Sequence, residues 1–249
     1  MIKVSAVIIT LNEEENIARC LQSLTSVADE ILIVDSYSVD RTKAIAEEFN
    51  VRFIQNEFKG HIEQKNFAAD QALYDYVLSV DADEVLSEGL ITSIKSVKEN
   101  WYTDAYYMNR LNNYCGSWIK YCGWYPDRKL RLWDRRKGKW QGRNPHDEFR
   151  LHESSHLGYL KGDLLHYSIK SVDHHLDIID SFSTIAAKAM FKDDVKGYQW
   201  KKYINPMIKF IKQYLLKAGF LDGINGYRIC KYSAYATYLK YKKLKALHE

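Results

Sequence analysis

The chain of 249 residues contains no apolar run approaching the ~20 residues that span a bilayer, so any meeting with a membrane is at its surface. The opening MIKVSAVIITLNEEEN has an apolar stretch of only about six or seven residues before its acids and lacks a small-residue cleavage site, so no export signal is expected. Cysteine is sparse. Cys20, Cys115, Cys122 and Cys230 are the whole set, and the seven-residue step from Cys115 to Cys122 fits neither a CxxC redox pair nor a zinc knuckle. A reduced, cytoplasmic protein is the expectation. Repeats and low-complexity linkers are also missing.

With 46% hydrophobic and 14% aromatic residues, the chain can bury a sizeable core as one compact domain with an appendage. The net charge of +4 hides an asymmetry. Residues 192–249 hold 13 Lys and Arg against 4 acids, whereas residues 1–191 hold 23 against 28, so a +9 tail follows a −5 body. A basic tail suits nucleic acid or an anionic membrane; its interleaved large apolar residues favour the membrane or a packed helical cap.

Strand-then-helix patterns recur four times in the first 100 residues. KVSAVIIT precedes ENIARCLQSL, EILIVD precedes DRTKAIAEEF, VRFIQ precedes HIEQKNFAADQAL, and YDYVLSV precedes SEGLITSIKSV. This predicts an α/β fold with an open, mostly parallel sheet flanked by helices, whose ligands lie outside the carboxyl ends of the strands. Those ends carry Thr10 and Asn12, Asp35, and the pair Asp81 and Asp83. The alternation stops near residue 101. A segment rich in Trp, Tyr, Arg and Gly then runs to about 170, with strands expected at AYYMNRL, RKLRLWD and DLLHYS, and long helical patterns fill residues 171–249. The expected division is a catalytic domain over 1–170, with halves 1–100 and 101–170, and a helical basic extension over 171–249.

The Asp81-x-Asp83 pair offers two hard oxygen ligands for Mg²⁺ or Mn²⁺, with phosphates and water completing the shell. The competing account makes them caps of the helix that starts near Ser87. Asp40 reads as an N-cap, whereas Asp35 precedes its turn and faces the same rim as the pair.

In this order and spacing, VIITLNEEENIARCLQSL, EILIVDSYSVDRT and VLSVDADEVL resemble the nucleotide-sugar half of the inverting family 2 glycosyltransferases, which have the GT-A fold. Further segments, FKGHIEQKNFAADQA, GWYPDRKLRLWDRRKGKW, PHDEF, KGDLLHYS and LLKAGFLDGINGYRICKYSAYATYLKY, are similar to the lipopolysaccharide core β-glycosyltransferases, so the resemblance spans nearly the whole chain. It implies a nucleoside-diphosphate sugar donor held by Thr10, Asn12, Glu14, Asp35, Asp81 and Ala82. Lys65 and Asn66 sit on the helix before YDYVLSV, where an ammonium and an amide could reach the donor's phosphate or sugar, against the competing account of ordinary exposed helix residues. The resemblance also implies Asp83 on a Mn²⁺ or Mg²⁺ ion. His166, at the end of the strand GDLLH, is a candidate further ligand, as histidines in some GT-A enzymes are, against the competing account of a hydrogen-bonded structural histidine. One departure is Tyr37, where a Gly is common in such loops.

Inversion needs a general base on the acceptor side, and a cation for the departing diphosphate. NPHDEFRLHE holds Asp147, Glu148 and Glu153; by likeness to the family the base is Asp147 or Glu148, with Glu148 preferred. Trp124 and Tyr125 offer rings for a sugar face, and Arg128 and Arg131 offer guanidinium groups for phosphate, against the competing account of core aromatics and strand-face charges. His174 and His175 lie inside a helical pattern. In the tail, Tyr203, Met207, Phe210, Ile211, Tyr214 and Leu215 are expected along one side of a helix containing Pro206, with Lys201, Lys202, Lys209 and Lys212 around it.

The expected activity is transfer of a sugar, from a UDP-sugar above all, onto a lipid-linked acceptor of the lipopolysaccharide core with a β linkage. The enzyme would be cytoplasmic and peripheral on the inner face of an anionic membrane, with no nucleic acid as partner. The alternatives are a transferase building capsule or another surface glycan, or a silent nucleotide- or nucleic-acid-binding protein that uses the +9 tail.

Overall fold

A computed structural model describes the chain apart from residues 144–145, 153–155, 196–197 and 249, with backbone only at Arg143, His146 and Tyr198. Two compact units emerge: Met1–Arg110 with Asp127–His166, and Leu111–Pro126 with Tyr167–Glu249. The division therefore differs from the expected one at 170, because residues 111–126 group with the helices.

In the first unit, β1 (Val4–Thr10), β2 (Glu30–Asp35), β3 (Arg52–Gln55) and β4 (Tyr76–Asp81) are parallel neighbours in the order β3-β2-β1-β4. β1 is buried at six of its seven positions, as a strand covered on both faces must be. Helix α1 (Ile17–Leu24) buries Ile17, Cys20, Leu21 and Leu24, the spacing that put them on one face. α2 (Thr42–Ala46) and α3 (His61–Gln71) follow β2 and β3. α4 (Glu88–Glu99) is capped by the hydroxyl of Ser87, which accepts from the Leu90 amide at 3.3 Å. The cap of that helix is thus Ser87, not Asp81 or Asp83.

The sheet is less parallel than expected. Beyond β4 its order continues β8-β6-β11-β5, from β8 (Asp127–Asp134), β6 (Ala105–Tyr114), β11 (Leu157–Ile169) and β5 (Glu84–Leu86), with antiparallel pairing at β4·β8, β6·β8 and β11·β5. A short β7 (Ser117–Trp118) pairs with β6, and β9 (Gly138–Arg143) and β10 (His146–Leu151) form a separate antiparallel hairpin. One irregularity matters for the site. Tyr106 pairs with Leu132 and Tyr107 with Leu130, so Arg131 is an extra residue on β8. Such a bulge re-aims the side chain it inserts.

The second unit is built on α5 (Val172–Lys192), α6 (Tyr198–Ile211) and α7 (Gly223–His248), with α5 and α6 both packed on α7. The Ser171 hydroxyl caps α5 by accepting from the His174 amide at 3.1 Å. Tyr114, Ile119, Cys122, Ile169, Ile229 and Cys230 form a buried cluster, against which Trp124, Phe210 and Tyr214 pack. A Cβ on Gly226 would stand 1.9 Å from the Gly219 carbonyl oxygen, so only glycine permits that approach. α6 passes through Pro206 without ending and closes in a wider turn at Lys212–Leu216. The expected single apolar side is divided: Phe210 and Tyr214 pack inward, whereas Tyr203, Met207, Ile211 and Leu215 are exposed. Among the described residues, no helix is long and apolar enough to cross a membrane.

Candidate active site

At the carboxyl end of β1 and β2 the two loops are sewn together. The buried Asp35 accepts from Thr10 Oγ1 at 2.9 Å, from the Ser38 amide at 2.8 Å and from the Ser38 hydroxyl. The Asn12 amide donates to Ser38 Oγ at 2.8 Å, and Asn12 Oδ1 accepts from the Val39 amide at 2.9 Å. Glu14 Oε2 accepts from the Arg41 amide and the Glu14 amide donates to Asp40, both at 3.0 Å. Asp40 also accepts from the Thr42 amide at 2.9 Å just before α2, but the N-cap position of that helix is Arg41 and no side chain caps it, so the expected capping role of Asp40 is not met. Tyr37 has φ +64°, the left-handed conformation for which glycine is the usual choice. Its ring is exposed. The departure from the family's glycine therefore leaves the turn in place.

One strand over, Asp81 sits in a cationic cradle. Arg131 Nη2 lies 2.6 Å from Asp81 Oδ2, and Lys65 Nζ lies 3.2 Å from Asp81 Oδ1. Burial opposes its ionisation, but Arg131 and then Lys65 outweigh that cost and hold the carboxyl well below the usual range. Arg131 is itself buried, and although burial works against its charge, Asp81 and Glu84 keep it protonated. Glu84 is fully buried: it meets Arg131 Nη2 at 2.7 Å, Arg110 Nη1 at 3.4 Å and the Asp81 amide at 2.9 Å. Composition assigned no role to Glu84; its signal was an acid on a segment too short and too buried to be a solvated face.

Lys65 completes a bridge. Its ammonium also meets Asp147 Oδ2 at 2.8 Å and lies 4.6 Å from the centre of the Trp140 ring. The hairpin decides which acid arrives there. On β10, Asp147 and Phe149 point one way and Glu148 and Arg150 the other, as the two-residue period requires. Phe149 stacks on Trp133 at 4.0 Å and anchors the inward face. The side chain of Asp147 is 11% exposed against Lys65, whereas that of Glu148 is 58% exposed and paired with Arg150. The geometry thus brings Asp147 to the rim and leaves Glu148 outside it, the reverse of the expected preference. Glu153 lies outside the described residues.

Asp83 and His166 approach each other, Oδ2 to Nε2, at 3.1 Å, both partly buried. Among the described residues, no group of three or more His, Cys, Asp and Glu side chains is arranged to hold a metal. Asn66 does not face the rim, because its amide donates to the Trp140 carbonyl at 3.0 Å and accepts from the Trp140 amide at 2.9 Å. It fixes the ring that lies against Lys65. The methyl of Ala82 lies in the core. Arg128 is exposed beside Tyr107 and Tyr159 in an open cleft, its guanidinium 5.7 Å from the Tyr159 ring centre. Trp124 and Tyr125 belong to the other unit, where Trp124 packs edge-on against Tyr114.

Parallel strands here deliver acids to one carboxyl rim, where a carboxylate from a separate hairpin meets them, and in α/β sheets of this kind ligands lie outside the carboxyl ends of the strands. Residues 5–152, more than half of the chain, match the model of Glycosyl transferase family 2, and the chain belongs to that family. Its fold is the GT-A fold, extended by the C-terminal helices. The chain is 28% identical over 257 residues to an uncharacterised glycosyltransferase of Rickettsia typhi, covering 99% of this chain and 88% of the relative. It is 27% identical over 254 residues to the lipopolysaccharide core biosynthesis glycosyltransferase LpsC of Rhizobium meliloti, covering 98% and 92%. Among solved structures, S. aureus TarS 1-349 in complex with UDP aligns with a TM-score of 0.49 at 15% identity, over 94% of this chain and 91% of that one.

Proposed function

We propose that the protein transfers a sugar from a UDP-sugar to a lipid-linked acceptor of the lipopolysaccharide core, with inversion to a β linkage. The observation that carries this reading is Lys65, whose single ammonium touches both Asp81 at the donor strand end and Asp147 on the hairpin. Two substrates meeting there would have a carboxylate on each side. The relationship to LpsC supports the choice of acceptor.

The loop bound to Asp35, with Thr10, Asn12 and Glu14, is the surface for base and ribose. Asp147 accepts the proton of the acceptor hydroxyl as its oxygen attacks the anomeric carbon, and the bond to the diphosphate oxygen breaks on the opposite face. Lys65 orients the Asp147 carboxylate and, with Arg131, holds Asp81 ionised.

A hard carboxylate and an imidazole, Asp83 and His166, fit Mn²⁺ and, less fully, Mg²⁺, provided that phosphate oxygens and water complete the shell. Bound there, the ion would offset the charge developing on the diphosphate. The test is a donor panel that follows nucleoside diphosphate release with and without membrane lipid extract. UDP release that rises with extract supports the reading; release from GDP-sugars alone, or none from any donor, contradicts it.

A further inference from the structure

α6 carries two apolar faces, and only one of them is packed. Inward, the Asn205 side-chain amide donates to the Tyr241 hydroxyl at 2.8 Å, and Phe210 stacks on Tyr214 at 5.3 Å between ring centres. On the opposite side, Trp200, Ile204, Met207, Ile208, Ile211 and Leu215 are all exposed, Trp200 at 78% and Met207 at 59%. Their steps of four, three, one, three and four residues follow the helical period and keep them in one stripe. The following turns carry further exposed apolar residues, Leu216, Phe220 and Leu221. A contiguous apolar stripe of this length marks an interaction surface.

Charge identifies the occupant. From Trp200 to Ile224 the chain holds Lys201, Lys202, Lys209, Lys212 and Lys217 against one acid, Asp222. Asp222 is already engaged by the amides of Lys120 and Tyr121 at 3.1 and 2.9 Å. Lys201 and Lys212 flank the stripe at helical spacing, where long stems can lie along apolar surface with the ammonium groups at its edge. A second copy of this face would bring like charges together. An anionic bilayer satisfies both halves, taking the apolar chains below the headgroups and the lysines among them. The geometry points to the outer face of α6 and its following turns as a docking surface for an anionic lipid bilayer, in the plane of the interface and not across it. The packed and the docked roles expected as alternatives thus belong to opposite faces of one helix.

The test uses the full chain and cosedimentation with phosphatidylcholine vesicles, with and without phosphatidylglycerol. Binding is expected only with phosphatidylglycerol, and it should weaken in high salt. The double variant Lys201→Gln, Lys212→Gln should bind about 25-fold more weakly, at about fivefold per cation. The pair Met207→Ser, Ile211→Ser should lose at least about tenfold with an unchanged thermal midpoint, because neither side chain packs inward. Brominated lipid should quench tryptophan emission, and Trp200→Phe should remove most of that quenching. Equal binding to both vesicle types, binding unchanged in the serine pair, or self-association abolished by that pair without vesicle binding would overturn the proposal. No donor enters these measurements, so their failure leaves the transferase reading standing, and failure of the donor panel leaves this one.

Discussion

In the unit that carries the rim, charged side chains are buried and neutralise one another: Arg131 lies between Asp81 and Glu84, and Lys65 between Asp81 and Asp147. In the helical unit the arrangement is inverted, with large apolar side chains outside, bordered by five lysines against the single acid Asp222. A buried ionic network contributes little net stability, because desolvating the ions offsets most of their attraction. It fixes positions instead, which a two-substrate reaction requires. An exposed apolar stripe likewise adds nothing to folding and is explained only by what it meets.

The largest effect expected within the rim comes from Asp83. Asp83→Asn should lower transfer by about 10³-fold, the scale on which charge stabilisation of a leaving group acts, and should blunt the Mn²⁺ dependence of UDP binding. Calorimetric titration of UDP with and without Mn²⁺ checks the second half independently of turnover; equal affinities of wild type and variant in Mn²⁺ would contradict the role.

Next is Glu84, the fully buried acid that meets two arginines. Glu84→Gln leaves Arg131 and Arg110 with one carboxylate fewer in a buried site, and a loss of about 3–5 kcal/mol is expected in urea unfolding. A loss below about 1 kcal/mol would show that the network is not closed around it.

The helical unit has its own buried titratable group. His175 is held at about pKa 4 by burial, reinforced by His174, and its Nδ1 lies 3.1 Å from the Tyr114 hydroxyl, with the Tyr232 ring edge-on. The folded value lies below the ordinary 6.5, so the unfolded chain binds the proton first. Stability is therefore full above about pH 6.5 and falls as pH drops toward 4, with a loss approaching about 3 kcal/mol below that. The thermal midpoint of wild type should fall across this range by more than that of His175→Phe, which lacks the titrating group, so the gap between the two curves should change with pH; parallel curves would contradict the assignment.

The legible part of this molecule was whatever a local period or a strand end encodes. Buried β1, the face of α1, and Thr10, Asp35 and Asp81 at strand ends follow from spacing alone. What stayed hidden depends on register or on residues far apart in sequence. The bulge that inserts Arg131 is set by pairing with β6. The choice between Asp147 and Glu148 rests on which face of the hairpin Phe149 anchors against Trp133. Lys65 reaches Asp147 across 82 positions of sequence, which no local pattern reports. The division of α6 into a packed and an open face required knowing where α7 lies.

The central claim is that the acid facing Lys65 is the base, and Asp147→Asn set against Glu148→Gln tests it most directly. Initial rates of transfer, donor KM and thermal midpoint should be measured for both variants in the same donor and acceptor. Asp147→Asn should lower kcat by at least ~10²-fold with donor KM and midpoint little changed, while Glu148→Gln stays within about threefold of wild type. A loss of that size in Glu148→Gln, with Asp147→Asn near wild type, would contradict the account.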